Sequence, residues 1–314
     1  MERAKTTPKD FFLWAGAMVS LYAGIVAFIT LLFNYINFTF PDPLQYLGDP
    51  YSSGIPYQMA TLIVLTPVFL VLMRVIRKEI EVDPSRAQIW VRRWALFLTV
   101  FVAGASIVVD LIVLLTTFLS GESLTTAFLL KVAVVLLVAS AGFMHFLADL
   151  WGFWHQYPAR ARTVNWGVGL LVILTILAGF LIVGTPQQAR MFRLDQQKVN
   201  DLQNIQWQII NFWQKKQTLP EALDELTDPL SGYTVPVDTE SGEAYDYNRI
   251  SLTSFTLCAT FNLAGGGQEF GREISYPATV GGKGMDTWEH TAGETCFERT
   301  IDPDLYPPFT KPGM

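Results

Sequence analysis

Five stretches of the chain, near residues 11–33, 56–76, 94–119, 124–149 and 166–183, are apolar for long enough to cross a bilayer. A hydrocarbon core about 30 Å thick takes about 20 apolar residues in a helix. The first and fifth stretches contain no charged side chain, and the second has none before Arg74. Long helices inside soluble domains keep a polar face, so these blocks predict a membrane all-α bundle of five transmembrane helices. Composition agrees: 51% of the 314 residues are hydrophobic and 16% are charged, against about 25% charged in a typical soluble domain. Those figures, with a net charge of −6, exclude a disordered chain, a collagen-like one, a disulfide-dense mini-protein and a nucleic-acid-binding protein. The first block is too long for the core of a signal peptide, and no small-residue cleavage site follows it before Asn34-Tyr35. It is expected to stay attached.

Cationic residues retained on the cytoplasmic side set orientation. Arg3, Lys5 and Lys9 precede the first block, whereas residues 34–55 contain no Lys or Arg. The next connection holds Arg74, Arg77, Lys78, Arg86, Arg92 and Arg93, the turn at 120–123 has none, and the following one carries Arg160 and Arg162. The alternation predicts a cytoplasmic N-terminus and, after five spans, an extracytoplasmic C-terminal domain.

Charge and cysteine usage divide the chain the same way. Residues 1–186 hold 12 Lys/Arg against 10 Asp/Glu, a net of +2, while residues 187–314 hold 10 against 18, a net of −8. Such an acidic surface disfavours nucleic acid and anionic headgroups. Both cysteines, Cys258 and Cys296, fall in the second part, where an oxidising compartment permits a disulfide. A bridge between them is expected, with two free thiols as the competing reading. The histidines share no ligand spacing with the cysteines, so neither a metal site nor a cofactor is implied.

Asp110 in the third block and Lys131 in the fourth are charges set away from the block ends. Their midpoint falls between Ser120 and Gly121, in the hairpin turn, so antiparallel helices joined there would bring them to one depth. An isolated charge at such depth is costly, and an intramembrane Asp110–Lys131 pair is expected. It either fixes the register of the two helices, the reading preferred, or forms a proton or ion site. His145, about 21 Å further along the fourth helix, belongs near the inner interface. The aromatic run from Asp149 to His155 reads as an interfacial belt. Pro67 suggests a kink, and Ala103-Gly104-Ala105 a close helix contact.

Residues 187–314 read as a small α+β domain, a long helix packed on a short antiparallel sheet. Leu202, Ile205, Ile209 and Phe212 recur at helical spacing with Trp213 alongside, one face of an amphipathic helix expected to continue from the fifth span. Leu219-Pro220 opens a short helix with Leu223 and Leu226; Tyr233–Val237 reads as a strand, and Asp238-Thr-Glu-Ser-Gly242 as a hairpin loop leading to Tyr245-Asp-Tyr247. Phe255, Leu257, Ala259 and Phe261 alternate through a strand containing Cys258. Beyond Gly265-Gly-Gly267 the tail reads as irregular, with Cys296 pinning it.

The stretch from Asp201-Leu-Gln-Asn-Ile-Gln through Leu219-Pro220 to Leu223 resembles the start of a pilin or pseudopilin globular domain. Asp238-Thr-Glu-Ser-Gly-Glu-Ala-Tyr-Asp-Tyr247 resembles the pseudopilin hairpin Asp-Pro-x-Gly-x-x-Tyr-x-Tyr, with Thr239 where that pattern has Pro. The spans, the Asp201-Leu-Gln-x-Ile-Gln helix and the segment from Cys296 to Pro303 together resemble an uncharacterised bacterial membrane family, a domain of unknown function. That resemblance implies a bacterial cytoplasmic (inner) membrane and no known activity.

Gly-x-Ser-x-Gly, Walker, His-Glu-x-x-His and Cys-x-x-Cys patterns are absent from the sequence, and a disulfide would take Cys296 away from any chemistry with Glu289-His290. The expectation is a non-enzymatic, multi-pass interaction or assembly component, embedded in lipid and bound to an envelope protein or to further copies of itself. The alternative is a small-solute or ion transporter or sensor using Asp110 and Lys131.

Overall fold

The computed structural model describes residues 6–40, 54–265, 268–269, 272–273 and 287–309. Most of the loop at 37–57, together with Gly266 and Gly267, lies outside the described residues. The chain divides into two units, Met1–Gly184 and Thr185–Met314.

The first unit is built from α1 (Pro8–Thr39), α2 (Ile55–Val82), α3 (Trp90–Leu119), α4 (Thr126–Leu150), a single turn α5 (Phe153–Gln156) and α6 (Pro158–Val183). Thr7 starts α1 by a reciprocal cap with Asp10, and Pro8 fills the first helical position, where its missing N–H costs nothing. Helix α2 runs on through Pro67, whose ring removes one bond of its ladder. Among the described residues, five helices are long and apolar enough to cross a membrane. Helix α1 lies at the centre of the unit, packed along α2 and touching α3, α4 and α6. Trp14 and Ala17 pack with Ile76, Ile89, Val91 and Ala95. A Cβ added at Gly179 of α6 would lie 2.6 Å from the Tyr35 hydroxyl and would also collide with Met59 Sδ. Only glycine permits that approach, and Tyr35 uses it to donate to the Thr175 carbonyl at 2.8 Å. The outward faces are apolar, with Phe101, Leu137 and Leu181 among their most exposed side chains.

The second unit begins with α7 (Pro186–Lys216). The expected continuous helix from the fifth span is interrupted. Gly184 ends α6 at φ 75°, Thr185 is extended, and Thr185 and Gln188 cap the new helix reciprocally. The physical cause is Pro186, which disfavours helical backbone in the residue before it, beside a glycine free to take positive φ.

Strands β1 (Asp246–Arg249), β2 (Ser254–Phe261) and β5 (Gly293–Thr300) form an antiparallel sheet in the order β1-β2-β5. Two-residue strands β3 (Gln268–Glu269) and β4 (Arg272–Glu273) pair separately. Leu202, Ile205, Ile209 and Trp213 of α7 join Phe255, Leu257, Ala259, Phe261 and Phe297 of the sheet in one core. Phe212 is only partly buried, so the buried stripe turns at Trp213. The short helix expected after Leu219-Pro220 is a 3-10 turn, Leu223–Leu226. The strand expected at 233–237 is reduced to single bridges, Asp228 with Tyr233 and Val237 with Ala244, since Pro236 cannot donate to a ladder. The tail expected to be irregular supplies β5, which pairs with β2 over its full length.

Candidate functional site

Asp110 projects from α3 nine residues before Leu119, roughly 14 Å from that end of the helix. It is 9% exposed, and its Oδ2 is buried without a hydrogen-bond partner. The expected pair with Lys131 is not formed: Lys131 Nζ stands over the Phe33 ring of α1, 6.0 Å from its centre. The cause is the connection between the helices. Helix α3 ends at Leu119 and α4 starts at Thr126, so the midpoint of the hairpin lies between Glu122 and Ser123, two residues later than expected. Asp110 is thereby level with Val135, and Lys131 is displaced by four residues, about 6 Å along the axis. The approach of Gly104 to Phe143, 3.4 Å from an added Cβ, agrees with this register.

The Asp110 carboxyl group lines an open groove of about 420 Å³. Phe101, Val102, Ser106, Val109 and Val113 form its α3 side, and Val135 contributes from α4. Ser106 spends its hydroxyl on the Val102 carbonyl at 2.8 Å and offers Asp110 nothing. The site therefore consists of one acidic group, set among apolar side chains on the flank of a helix.

The ion-paired groups of this unit gather at the opposite end of the helices. Arg86 binds Asp10 at 2.9 Å and Glu79 at 3.1 Å, Lys9 pairs with Glu79, and Arg92 lies 3.5 Å from Asp149. These contacts tie α1 to α2 and α3 to α4 at their polar ends. His145 is close by, its ring 5.0 Å from that of Trp154, whose Nε1 donates to the His145 carbonyl at 2.9 Å. The aromatics after Asp149 pack on one another, Phe153 against Tyr157 at 4.8 Å, with Arg160 over the Tyr157 ring.

In the second unit Cys258 and Cys296 form the disulfide. They are directly opposed on β2 and β5, and by strand alternation they lie on the sheet face turned away from α7. His290 stacks on Phe261 at 3.7 Å, with burial holding its imidazole pKa below the ordinary value. It is a packing residue, and Cys296 is held in the disulfide.

A polar cluster not anticipated from sequence joins α7 to the hairpin and β2. Lys198 donates to Glu240 at 2.7 Å and to the Thr260 carbonyl at 2.8 Å, with Asp238 at 3.4 Å. Burial opposes its charge, but the bonds to Glu240 and the field of Asp238 prevail and hold its pKa above the ordinary value. Asp195 accepts from the Asn262 and Leu263 amides at 2.9 and 2.8 Å. The signal was present: positions 195, 198, 202, 205 and 209 share one helical face, so two charged residues stood on the buried stripe. Tyr245 donates to Asp201 at 2.9 Å and Tyr247 to the Pro220 carbonyl at 2.9 Å, which gives the two hairpin tyrosines a clamping role.

Among the described residues no three His, Cys, Asp or Glu side chains converge on a metal-sized site. Residues 10–146 match the family model described as a domain of unknown function, DUF5671. The matched segment includes Asp110 and Lys131 and ends before α6 and the second unit. No curated protein and no solved structure matches the chain.

Proposed function

We propose that the chain is a multi-pass protein of the bacterial cytoplasmic membrane, with a cytoplasmic N-terminus and an extracytoplasmic C-terminal domain, and that it acts as a membrane-anchored interaction or assembly component rather than an enzyme. The observation that carries this reading is an exposed apolar strip on the C-terminal domain. The segment after β5 runs back along α7, where the Phe309 amide donates to the Gln214 carbonyl and Gln214 donates to the Pro307 carbonyl, both at 3.0 Å. Tyr306 meets Trp207 edge to face, leaving Trp207 56%, Phe309 58% and Leu305 69% exposed. Single exposed apolar residues are ordinary, whereas several carried by adjoining segments of an otherwise acidic domain are suited to a partner surface. The long helix on a small antiparallel sheet is also the arrangement that the pilin resemblance implies.

The orientation is supported by the basic connections sharing one end of the helices and by the disulfide in the C-terminal unit. The test is a photo-crosslinking residue at Trp207 in the full-length chain, irradiated in intact cells. A discrete protein adduct that disappears with Leu305→Asp and Phe309→Asp is the expected result. Absence of any adduct overturns the reading.

A second reading, proton or cation transport or sensing, draws on the unpartnered carboxyl oxygen of Asp110 beside an open groove. Replacing Asp110→Asn together with Lys131→Met in a chain that stays folded, with every transport readout unchanged, removes it.

A further inference from the structure

Asp110 and Lys131 are the two charges inside the apolar stretches of α3 and α4, and one copy of the chain leaves both unpaired. The offset that separates them within a copy is about one helical turn of 5.4 Å, a distance that a lysine covers along its four-carbon stem. We propose that a second copy of this chain covers the Asp110 flank of α3, and that each copy's Lys131 ammonium binds the other's Asp110 carboxylate.

This inference rests on the reading that the helices cross a bilayer, because copies inserted the same way then hold Asp110 of one and Lys131 of the other within about one helical turn of the same depth. A two-fold axis along the membrane normal makes the contact isologous: if Asp110 of one copy meets Lys131 of the other, the reciprocal pair forms as well. The dimer then contains two neutralised pairs, whereas a single copy holds a bare acid and a bare ammonium at a depth where lone charges are costly. Phe101, Val102, Ala105, Ser106, Val109 and Val113 line the groove beside Asp110, and the small Ala105 and Ser106 let a neighbouring helix approach at that level. Lys131 is only partly buried in one copy and is held there by nothing stronger than the Phe33 ring at 6.0 Å.

The test uses two full-length copies with different tags, expressed together and co-captured from native membranes in mild detergent. Unsubstituted copies are expected to capture each other. D110N with D110N, and K131M with K131M, should each fall by at least about tenfold. The mixture of D110N with K131M should retain capture, because the Lys131 of the first still meets the Asp110 of the second. A doubly swapped copy (D110K with K131D in one chain) should capture itself and not the unsubstituted chain, which keeps the proposal exposed even where the single variants accumulate poorly. Equal capture in all combinations, or no capture between unsubstituted copies, overturns it. So does loss with D110N but not K131M accompanied by release of a different membrane protein, which would identify a foreign basic helix as the occupant. Carbonate extraction of the unsubstituted chain separates the two levels. Release from the membrane sinks the spanning reading, whereas retention without self-capture sinks only the dimer.

Discussion

The C-terminal unit and the flank of α3 treat buried charge in opposite ways, although Asp10, at the polar end of the same helical unit, is paired with Arg86. In the C-terminal unit Lys198 and Asp195 are each buried and each fully engaged, and Arg299 donates to Gln206, Glu298 and Thr287 while lying over the Trp288 ring. In the helical unit Asp110 is also buried, at 9% exposure, and has an oxygen with no partner. The C-terminal unit engages these buried charges internally, while leaving neutral groups at Tyr233, His290 and Thr295 without partners, because an orphaned buried charge costs several kcal/mol. A helical unit suited to a bilayer can leave one incomplete if another chain supplies the missing half. The difference therefore separates polar groups that hold a fold together from one that points outside it.

The largest effect that can break this comparison is loss of the cross-strand disulfide. It closes a 38-residue separation, worth about 4 kcal/mol by chain-entropy arithmetic. Cys258→Ser with Cys296→Ser should lower the thermal midpoint of the isolated-signal transition from the C-terminal unit and leave the helical unit's far-UV signal in place. Asp195→Ala comes next. It strips partners from the Asn262 and Leu263 amides and should cost the C-terminal unit about 3 kcal/mol in denaturant titration. Gly179→Val is the counterpart in the helices: a Cβ there meets the Tyr35 hydroxyl at 2.6 Å, and the overpacking should cost about 1–3 kcal/mol, read as earlier loss of helicity on heating in detergent.

A pH titration sharpens the contrast further. Burial raises the pKa of Tyr245, helped by its bond to Asp201, and burial, opposed by Arg249 and aided by Glu225, pushes Tyr247 up to about 12. Lys198 is also raised. Each folded group thus holds its proton more tightly than the unfolded chain, whose tyrosines titrate near 10.0 and lysines near 10.5. The stability these groups contribute is fully present below pH 10 and is lost as pH rises through the folded values. Melting of the C-terminal unit should be flat on this account up to pH 10 and fall steeply above it. A midpoint that rises between pH 10 and 12 contradicts the clamping role of Tyr245 and Tyr247.

The long elements could be read from sequence because their signals are one-dimensional. Apolar length marks the five long helices, the 3/4 spacing of Leu202, Ile205 and Ile209 marks α7, and the alternation of Phe255, Leu257, Ala259 and Phe261 marks β2. Where charge sits on the inward face, the pattern was not legible. In β5 the buried positions are Phe297 and Arg299, so the period-two pattern is masked by a guanidinium that finds its partners only in three dimensions. The same masking hid Lys198 and Asp195 on the buried stripe of α7. The hairpin register failed for another reason. It depends on where α4 begins, and the difference between a turn at Ser120–Ser123 and a helix start at Thr126 moves Asp110 and Lys131 apart by a full turn. The charged residues themselves were visible; their relation was a matter of two residues of loop.

The smallest expected effect decides most between the two treatments of charge. Asp110→Ala removes a carboxyl group that makes no hydrogen bond within its own copy, so no partner is orphaned and no network is opened. For a single copy held in detergent at low concentration, the change should cost less than about 1 kcal/mol, or stabilise slightly, since an acid among Val, Phe and Ser side chains is replaced by an apolar methyl. The matched change at Asp195 in the C-terminal unit should cost several times more. If Asp110→Ala instead unfolds the helical unit as readily as Asp195→Ala unfolds its neighbour, then Asp110 is held by interactions within its own copy. The two units would then follow one rule, and the carboxyl group would lose its claim to face a second chain.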